Sequence, residues 1–432
     1  MEPRNARSRE NVLIIAFKFP PLGGMRVKRM TMFAKYLARR GYRVHVITVD
    51  WRVKMPDTWL TEVQHPDIVI HRIPSWSPHN LLLLRPRNWM EKLARKSARI
   101  LGRLLYFVDE AQYWGISLLP YARRLVEVEH ITNVICTGAP FMANYWAARL
   151  KAQMPHIHLI QDLRDPWNDH LCAPYSHHFL FEWQKRVSQA CERYALEQAD
   201  VIVTVTDALR KKFEHKAGNT AHLVTISNGF DSDRYRHLRF EPDRGKMRLV
   251  YIGNLGVGRD KVLKKFLAII KELVDQEPEF GHMFEFVTYG HFPPNVRQET
   301  HALRQRGVLE VNGYVSPEQA LKVAGNAFAL LLINAPIFPY ATSGKVYEYI
   351  ALRRPIYALT PEGELAGLMR RGNLGTVALL SDPEGQKAGL LELFELWKRN
   401  PTYVPPINRA FRREFQYDYL VDQLVACFKA NS

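Results

Sequence analysis

The sequence predicts a doubly wound parallel α/β fold in two domains, and three observations predict it. Short β-branched runs alternate with helical patterns along almost the whole chain, the rhythm restarts after a polar interruption, and 432 residues exceed one ordinary core. The first series is NVLIIAF (11–17), RVHVITV (43–49), DIVIHRI (67–73), ITNVICTG (131–138), HIHLIQDL (156–163), DVIVTVT (200–206) and AHLVTISNG (221–229). Between the first two runs, RMTMFAKYLARRGY places Met30, Phe33, Ala34, Leu37 and Ala38 in a helical stripe that ends at a Gly stop. Strand, helix, strand in this order means crossover connections and a parallel sheet.

The charge-rich stretch DSDRYRHLRFEPDRGK (231–246) interrupts the pattern. A second series follows: MRLVYIGN (247–254), MFEFVTYG (283–290), VLEVNGY (308–314), AFALLLIN (327–334), RPIYALT (354–360) and GTVALL (375–380). The expected division is therefore 1–240, 241–408 and a helical C-terminal segment, 409–432, that packs back across the hinge. Two Rossmann-like domains facing each other leave a deep cleft at the carboxyl ends of both sheets.

Composition narrows the class. A hydrophobic content of 47% with 24% charged residues belongs to a folded globular protein. The cysteines, Cys136, Cys172, Cys191 and Cys427, show no C-x-x-C spacing, so neither a zinc site nor a disulfide framework is expected, and a reducing cytosol fits best. No run reaches the ~18 apolar residues of a membrane span, and MEPRNARSRENVLIIAF lacks a long apolar core with a cleavage site. Neither a secretion signal nor an integral span is expected.

The charge is unevenly placed. Residues 1–105 hold 21 Lys and Arg against 7 Asp and Glu, a balance of +14 within a total of +17. Such a patch implies a partner. It centres on LLLLRPRNWMEKLARKSARILGRLLYF (81–107), where Trp89, Met90, Leu93, Ile100, Leu101, Leu104 and Leu105 follow helical spacing. Lys92, Arg95, Lys96, Arg99 and Arg103 lie on the other side. A basic amphipathic helix with a Trp at its border reads as an element that lies on an anionic membrane surface. A helix packed on its own domain with a solvated basic face has the same spacing. No zinc-finger spacing or RNP-like motif accompanies the charge, so nucleic acid is not expected as a partner.

Several loops at strand ends carry chemistry. KFPPLGGMRVKR (18–29) stops the first strand with two prolines, and Gly23 with Gly24 lets the backbone approach a ligand before a helix begins. In GNLGVGRDKVLKK (253–265), Gly253 and Asn254 open a loop that leads to Arg259, Lys261, Lys264 and Lys265. Neither loop has the dinucleotide or P-loop spacing. Arginine grips a diphosphate through two parallel hydrogen bonds and lysine adds a point charge, although a solvated helix face accounts for the lysines equally well. Ser343, Gly344 and Lys345 precede Glu348 on the first turns of another helix, whose free amides suit an anion. QDLRDPWND (161–169) closes a strand with Asp162, Arg164 and Asp165, either a self-satisfied ion cluster or part of a site, while Trp167 is expected to pack. ISNGFDSDRY (226–235) reads as a connector built on an Asn-Gly turn.

In this order the motifs PPLGGMRVKRMTMFAKYLARRGYRVHVITVD, TGAPFMANYWAARLK, QDLRDPWND, CERYALEQADVIVTVTDALR, ISNGFD, LVYIGNLGVGRD and SGKVYEYIALRRPIYAL resemble the GT-B glycosyltransferases of family 4, especially bacterial envelope-polysaccharide members. The resemblance runs from residue 11 to about residue 380. It implies retaining transfer from a nucleotide-diphosphate sugar to a lipid-linked or glycan acceptor, without a cofactor and without a required metal. It implies that Gly23 and Gly24 approach the donor phosphates and acceptor, and that Arg259 with Lys261 or Lys264 binds the diphosphate. Ser343, Gly344 and Lys345 would form the phosphate-side loop, and Glu348 would bind the nucleotide ribose. With the basic helix docking on anionic lipid, the expected location is cytoplasmic, peripheral on the inner face of the plasma membrane.

Two positions depart from the family pattern. A glutamate eight residues before the ribose glutamate is replaced by Tyr340, and the histidine beside the transferred sugar falls near Asn144, which cannot act as a general base near neutral pH. These departures keep open a non-catalytic sugar-nucleotide-binding scaffold, and a sugar-nucleotide epimerase on the same fold is a separate alternative.

Overall fold

The computed structural model describes residues 10–51, 59–76, 88–94, 96–97, 108–169, 182–218, 221–256 and 258–429. The chain divides into two compact units, Met1–Ser227 with Tyr417–Ser432, and Asn228–Gln416.

In the first unit, β1 (Asn11–Ala16), β2 (Arg43–Val49), β3 (Ile68–Ile73), β4 (Asn133–Thr137), β5 (His158–Leu163), β6 (Val201–Thr204) and β7 (His222–Thr225) form one sheet in the order β3-β2-β1-β4-β5-β6-β7. All pairings are parallel; β1 runs beside both β2 (Val12 opposite Val44) and β4 (Val12 opposite Asn133). A strand between two parallel neighbours and under helices on both faces is buried throughout, which is why β1 reads as a continuous apolar run. Helix Met25–Arg39 connects β1 to β2 and buries Met30, Phe33, Ala34 and Leu37, the stripe expected from spacing. The opposite progression from β4 outward makes β1 and β4 the strands at which the order reverses.

The second unit repeats the plan with β8 (Met247–Ile252), β9 (Phe284–Tyr289), β10 (Leu309–Asn312), β11 (Ala329–Ile333), β12 (Ile356–Thr360) and β13 (Gly375–Leu379), in the order β10-β9-β8-β11-β12-β13. Its two faces carry separate cores. Leu249, Tyr251, Leu331 and Ile333 pack with helices Arg259–Gln276 and Pro383–Arg399, while Val250, Leu330 and Leu332 pack with helices Lys345–Leu352 and Glu364–Gly372. The reversal lies between β8 and β11.

The division falls between Ser227 and Asn228, not near residue 240. The charged stretch beyond Asn228 is anchored to the second unit: Phe230 is fully buried, its N–H donates to the Phe415 carbonyl at 2.9 Å, and the Phe240 ring lies against Gly325. The C-terminal segment also splits. Arg409–Arg413 stays with the second unit, whereas Tyr417–Val425 joins the first and packs on helix Met25–Arg39, with Phe33 and Tyr417 edge to face at 6.1 Å. Arg40 ties the same helix down through Asp422 at 2.7 Å.

One polar pair inside the first sheet makes a stability prediction. His45 is 1% exposed, its Nδ1 lies 3.1 Å from His71 Nε2, and its Nε2 finds no hydrogen-bond partner. Burial pushes the His45 imidazole down to about 4. Between its ordinary value near 6.5 and 4 the unfolded chain holds a proton that the folded chain refuses, so stability falls as pH falls through that window. The expected loss is roughly 3 kcal/mol. The change in urea midpoint between pH 5 and pH 7.5 attributable to His45 should be absent from His45→Phe, so the acid-side loss should be smaller in the variant than in the native chain.

Candidate functional site

The first unit presents its loops at the β1/β4 reversal. Residues 17–24 leave β1 and end at Gly24, whose φ of 89° suits glycine and which caps helix Met25–Arg39 without any side-chain hydrogen bond. No acidic residue occupies the first helical turn, Gly24 is exposed, and nothing lies within 4 Å of where its Cβ would be. Gly24, Met25 and Arg26 are exposed at this helix N-terminus, at a strand carboxyl end, a place suited to an anion. Gly23 lies beside them, half-buried.

Asp162 and Arg164 are not in that open space. Asp162 is 1% exposed; its Oδ1 accepts from Arg29 Nε at 2.9 Å and its Oδ2 from Thr137 Oγ1 at 2.9 Å. Arg29, 1% exposed, spends its remaining donors on the Ser227 and Ile226 carbonyls at 2.6 and 2.9 Å. Arg164 donates to the Gly138 carbonyl at 3.0 Å and to the Arg26 carbonyl at 2.9 Å, so it staples the β4 loop to the β1 loop. Burial pulls the Arg164 pKa down, and the Asp162 charge, then that of Asp165, opposes it. Of the two alternatives, the ion cluster that holds loops is the one observed, and Asp162 and Arg164 are positioning residues. Trp167 packs as expected, stacked on Phe141 at 5.1 Å with its indole N–H on Ser188 Oγ.

Asn144 likewise sits inside. It is fully buried, its Nδ2 donates to Gln161 and to the Cys136 carbonyl, and its Oδ1 has no partner where it lies behind Gly138. Through these bonds it helps shape the loop that follows β4. Asp109 fixes that loop from the far side: its carboxylate accepts from the Phe141 and Met142 amides at 2.5 and 3.1 Å, and burial pushes it up to about 6.

The second unit gathers cations at the β8/β11 reversal. Gly258, with φ of 78°, caps helix Arg259–Gln276, and Arg259 turns back to donate to the Ile333 carbonyl at the end of β11 at 3.3 Å. Lys345 opens helix Lys345–Leu352 after Ser343 and Gly344; its ammonium donates to Tyr251 Oη at 2.9 Å and lies 4.1 Å from the Tyr251 ring centre. Tyr251 in turn donates to the Asn254 carbonyl at 3.0 Å, and Asn254 Oδ1 accepts from the Gly256 amide at 2.7 Å. Burial, then the neighbouring Arg259 charge, bring Lys345 down to about 7. Among the described residues no carboxylate is a cause that raises the Lys345 pKa again, so its ammonium is placed where an anion would stabilise it.

Lys261 and Lys264 do not join this pair. At 100° per residue they lie on the side of the helix away from Arg259, and both are exposed. Glu348 stands one turn into its helix, half-buried, on the same side as Lys345. Asn334 is a member that sequence reasoning missed: 4% exposed, it donates to the Phe338 and Ala341 carbonyls at 3.1 and 3.2 Å and sets the loop before Ser343. Tyr340 is buried in that loop.

Gly253 makes room for the ammonium. A Cβ at this position, where φ is 134°, would come within 2.5 Å of Lys345 Nζ and 2.8 Å of its Cε. Gly253→Ala is therefore expected to displace Lys345 and weaken nucleoside diphosphate binding by about tenfold or more, the worth of one charge-assisted hydrogen bond. Calorimetric titration checks this, with circular dichroism showing an unaltered fold.

With the geometry in hand, the known proteins that resemble this chain are informative. Residues 23–229 match the glycosyl transferase 4-like domain. In structure, the chain is similar to the sucrose-phosphate synthase of Thermosynechococcus elongatus (TM-score 0.64, 13% identity, covering 97% of this chain and 98% of that one). It is also similar to the lipopolysaccharide outer core galactosyltransferase WaaB (TM-score 0.59, 13% identity, 97% and 99%). A Listeria monocytogenes protein assigned as a UDP-N-acetylglucosamine 2-epimerase gives a TM-score of 0.53 at 13% identity, covering 97% and 95%. No curated protein sequence matches. The fold is thus that of the GT-B glycosyltransferases, and over residues 23–229 the chain is similar to the glycosyl transferase 4-like domain, consistent with the resemblance to family 4 read from the motifs.

Proposed function

We propose that the protein is a retaining glycosyltransferase that moves a sugar from a nucleotide-diphosphate sugar to a lipid-linked or glycan acceptor in envelope glycan biosynthesis. One observation carries the donor half: Arg259 and Lys345 lie where β8 and β11 part, each at a helix N-terminus, close enough for the Arg259 charge to lower the Lys345 pKa. Departure of a nucleoside diphosphate builds negative charge on its oxygens, and fixed cations and helix amides stabilise that charge more than they stabilise the bound substrate. Arg259 offers a fork to two phosphate oxygens, Lys345 a point charge, and Glu348 a carboxylate to the ribose hydroxyls. Such a transfer requires neither a protein nucleophile nor a metal from this chain.

The acceptor half rests on the charge of residues 1–105 and on exposed apolar side chains. Trp76, Trp89, Met90 and Leu93 are 69%, 72%, 60% and 56% exposed, and Lys92 and Lys96 are exposed beside them. Arg95, Arg99 and Arg103 lie outside the described residues. Among the described residues no helix is long and apolar enough to cross a membrane. This composition supports docking on anionic lipid at the inner face of the plasma membrane. Lys92→Glu with Lys96→Glu should release the protein from vesicles containing anionic lipid, and unchanged sedimentation would contradict that docking.

The deciding experiment for the reaction offers the purified protein a panel of nucleotide-diphosphate sugars, with and without a lipid-linked glycan acceptor, and measures nucleoside diphosphate release. Release that depends on the acceptor supports transfer. The likeness to the epimerase-assigned fold favours one second reading, and turnover of donor in the absence of acceptor would establish it instead.

A further inference from the structure

A guanidinium with free terminal nitrogens lies in the same unit at the opposite edge of its sheet. Arg354 immediately precedes β12, at the amino ends of the strands, whereas Arg259 and Lys345 stand at the carboxyl ends. It is 6% exposed, and its Nε donates to the Gly325 carbonyl at 2.8 Å. Among the described residues no carboxylate pairs with it, and burial alone pulls its pKa down. Its two terminal nitrogens, with four N–H donors, make no hydrogen bond to the described residues, and they are not among the buried unpartnered atoms. They are therefore open to solvent at the pocket that Arg354 lines, where a ligand oxygen can replace water.

Arg354 lines a cavity of about 470 Å³. Phe240, Pro242 and Val404 form apolar walls, Thr402 adds a hydroxyl, and Arg244 brings a second guanidinium to the rim. Glu241 also lines the rim, but it is exposed, and its amide is held by Asn326 Oδ1 at 2.9 Å. The charge inside therefore comes from Arg354, and the walls accept an apolar body behind it.

We infer that this cavity binds a small oxyanion carried on an apolar or aromatic group, a phosphomonoester or a carboxylate, gripped by the free fork of Arg354 and screened by Arg244. A planar fork fits two oxygens of either head. The cavity and the carboxyl-edge cations are at different ends of the strands, so the inference does not depend on the proposed donor site.

The test uses the full chain carrying Lys345→Ala, so that binding at the carboxyl edge is suppressed, with phenyl phosphate and benzoate as separate probes in titration calorimetry. Saturable binding of either probe is expected, phenyl phosphate winning if the head is a phosphomonoester and benzoate if it is a carboxylate. Val404→Trp, which fills the cavity from its exposed rim, should abolish it, and Arg244→Ala should weaken it. Arg354→Lys, which keeps the charge and loses the fork, should cost about tenfold or more. Absence of binding by both probes at millimolar concentration, or binding indifferent to Val404→Trp and Arg354→Lys, overturns the inference.

Discussion

Lys345→Ala is expected to lower donor turnover by about 10²–10³-fold, the usual cost of removing one fixed group that stabilises a developing oxyanion. The loss should fall on kcat as well as on KM, because the ammonium serves the departing diphosphate more than the intact donor. The same side chain predicts a pH signature. Burial and Arg259 bring the empty-site ammonium down to about 7, so above that pH the lysine is mostly neutral and binding a diphosphate must return its proton. Affinity should therefore fall as pH rises above 7, by at most about tenfold per unit for one proton, and level off below it. In Lys345→Ala the slope should vanish. Folding shows the opposite trend. Between 7 and 10.5 the unfolded chain holds the Lys345 proton and the folded chain does not, so this group's contribution to stability rises with pH. Lys345→Met should consequently raise the melting temperature at pH 6 while weakening diphosphate binding by at least about tenfold, a trade expected where function keeps a charge in an unfavourable place.

Asp162→Ala is expected to destabilise the first unit by about 3–5 kcal/mol, because it leaves the Arg29 guanidinium buried without its carboxylate. Thr137 loses its acceptor at the same time. The paired replacement Arg29→Met with Asp162→Leu removes both charges and should recover most of that stability. Thermal or urea unfolding measures the recovery. The double variant also separates holding a loop from doing chemistry: a refolded protein that keeps donor turnover within about tenfold agrees with a positioning role, since a lost transition-state contact costs about 10²-fold or more. A stable but inactive double variant would return Asp162 to the reacting groups.

The sheets were legible because parallel strands buried on both faces must be apolar throughout, and every run named from NVLIIAF to GTVALL became a strand. The reversal points were also within reach, because Gly24 and Gly258 announce strand-to-helix turns that only glycine makes easily. The boundary was misplaced because charge composition does not report the contacts of Phe230 and Phe240, two aromatic anchors inside a polar stretch. Which charged residues face a ligand was the least legible feature. Arg259, Lys261 and Lys264 look alike in sequence, yet only Arg259 reaches the end of β11. Asp162 had the position of a site residue but is fully engaged with Arg29 and Thr137. A signal for Arg29 did exist. It falls at i, i+4 and i+8 with Phe33 and Leu37, so a guanidinium stood in the apolar stripe and required a buried partner. Tyr251, which holds Lys345, reads in sequence as one more apolar strand residue, and only the structure brings its hydroxyl to the ammonium.

The most direct measurement of the central claim is calorimetric titration of UDP, GDP and ADP into the native chain, Lys345→Ala and Arg259→Ala, each at pH 6.5 and pH 8.5 in two buffers of different ionisation enthalpy. The account predicts that a nucleoside diphosphate binds the native chain, takes up a proton at pH 8.5, and loses at least about tenfold in affinity with either substitution. Binding that ignores both substitutions, or no binding by any of the three, would contradict it.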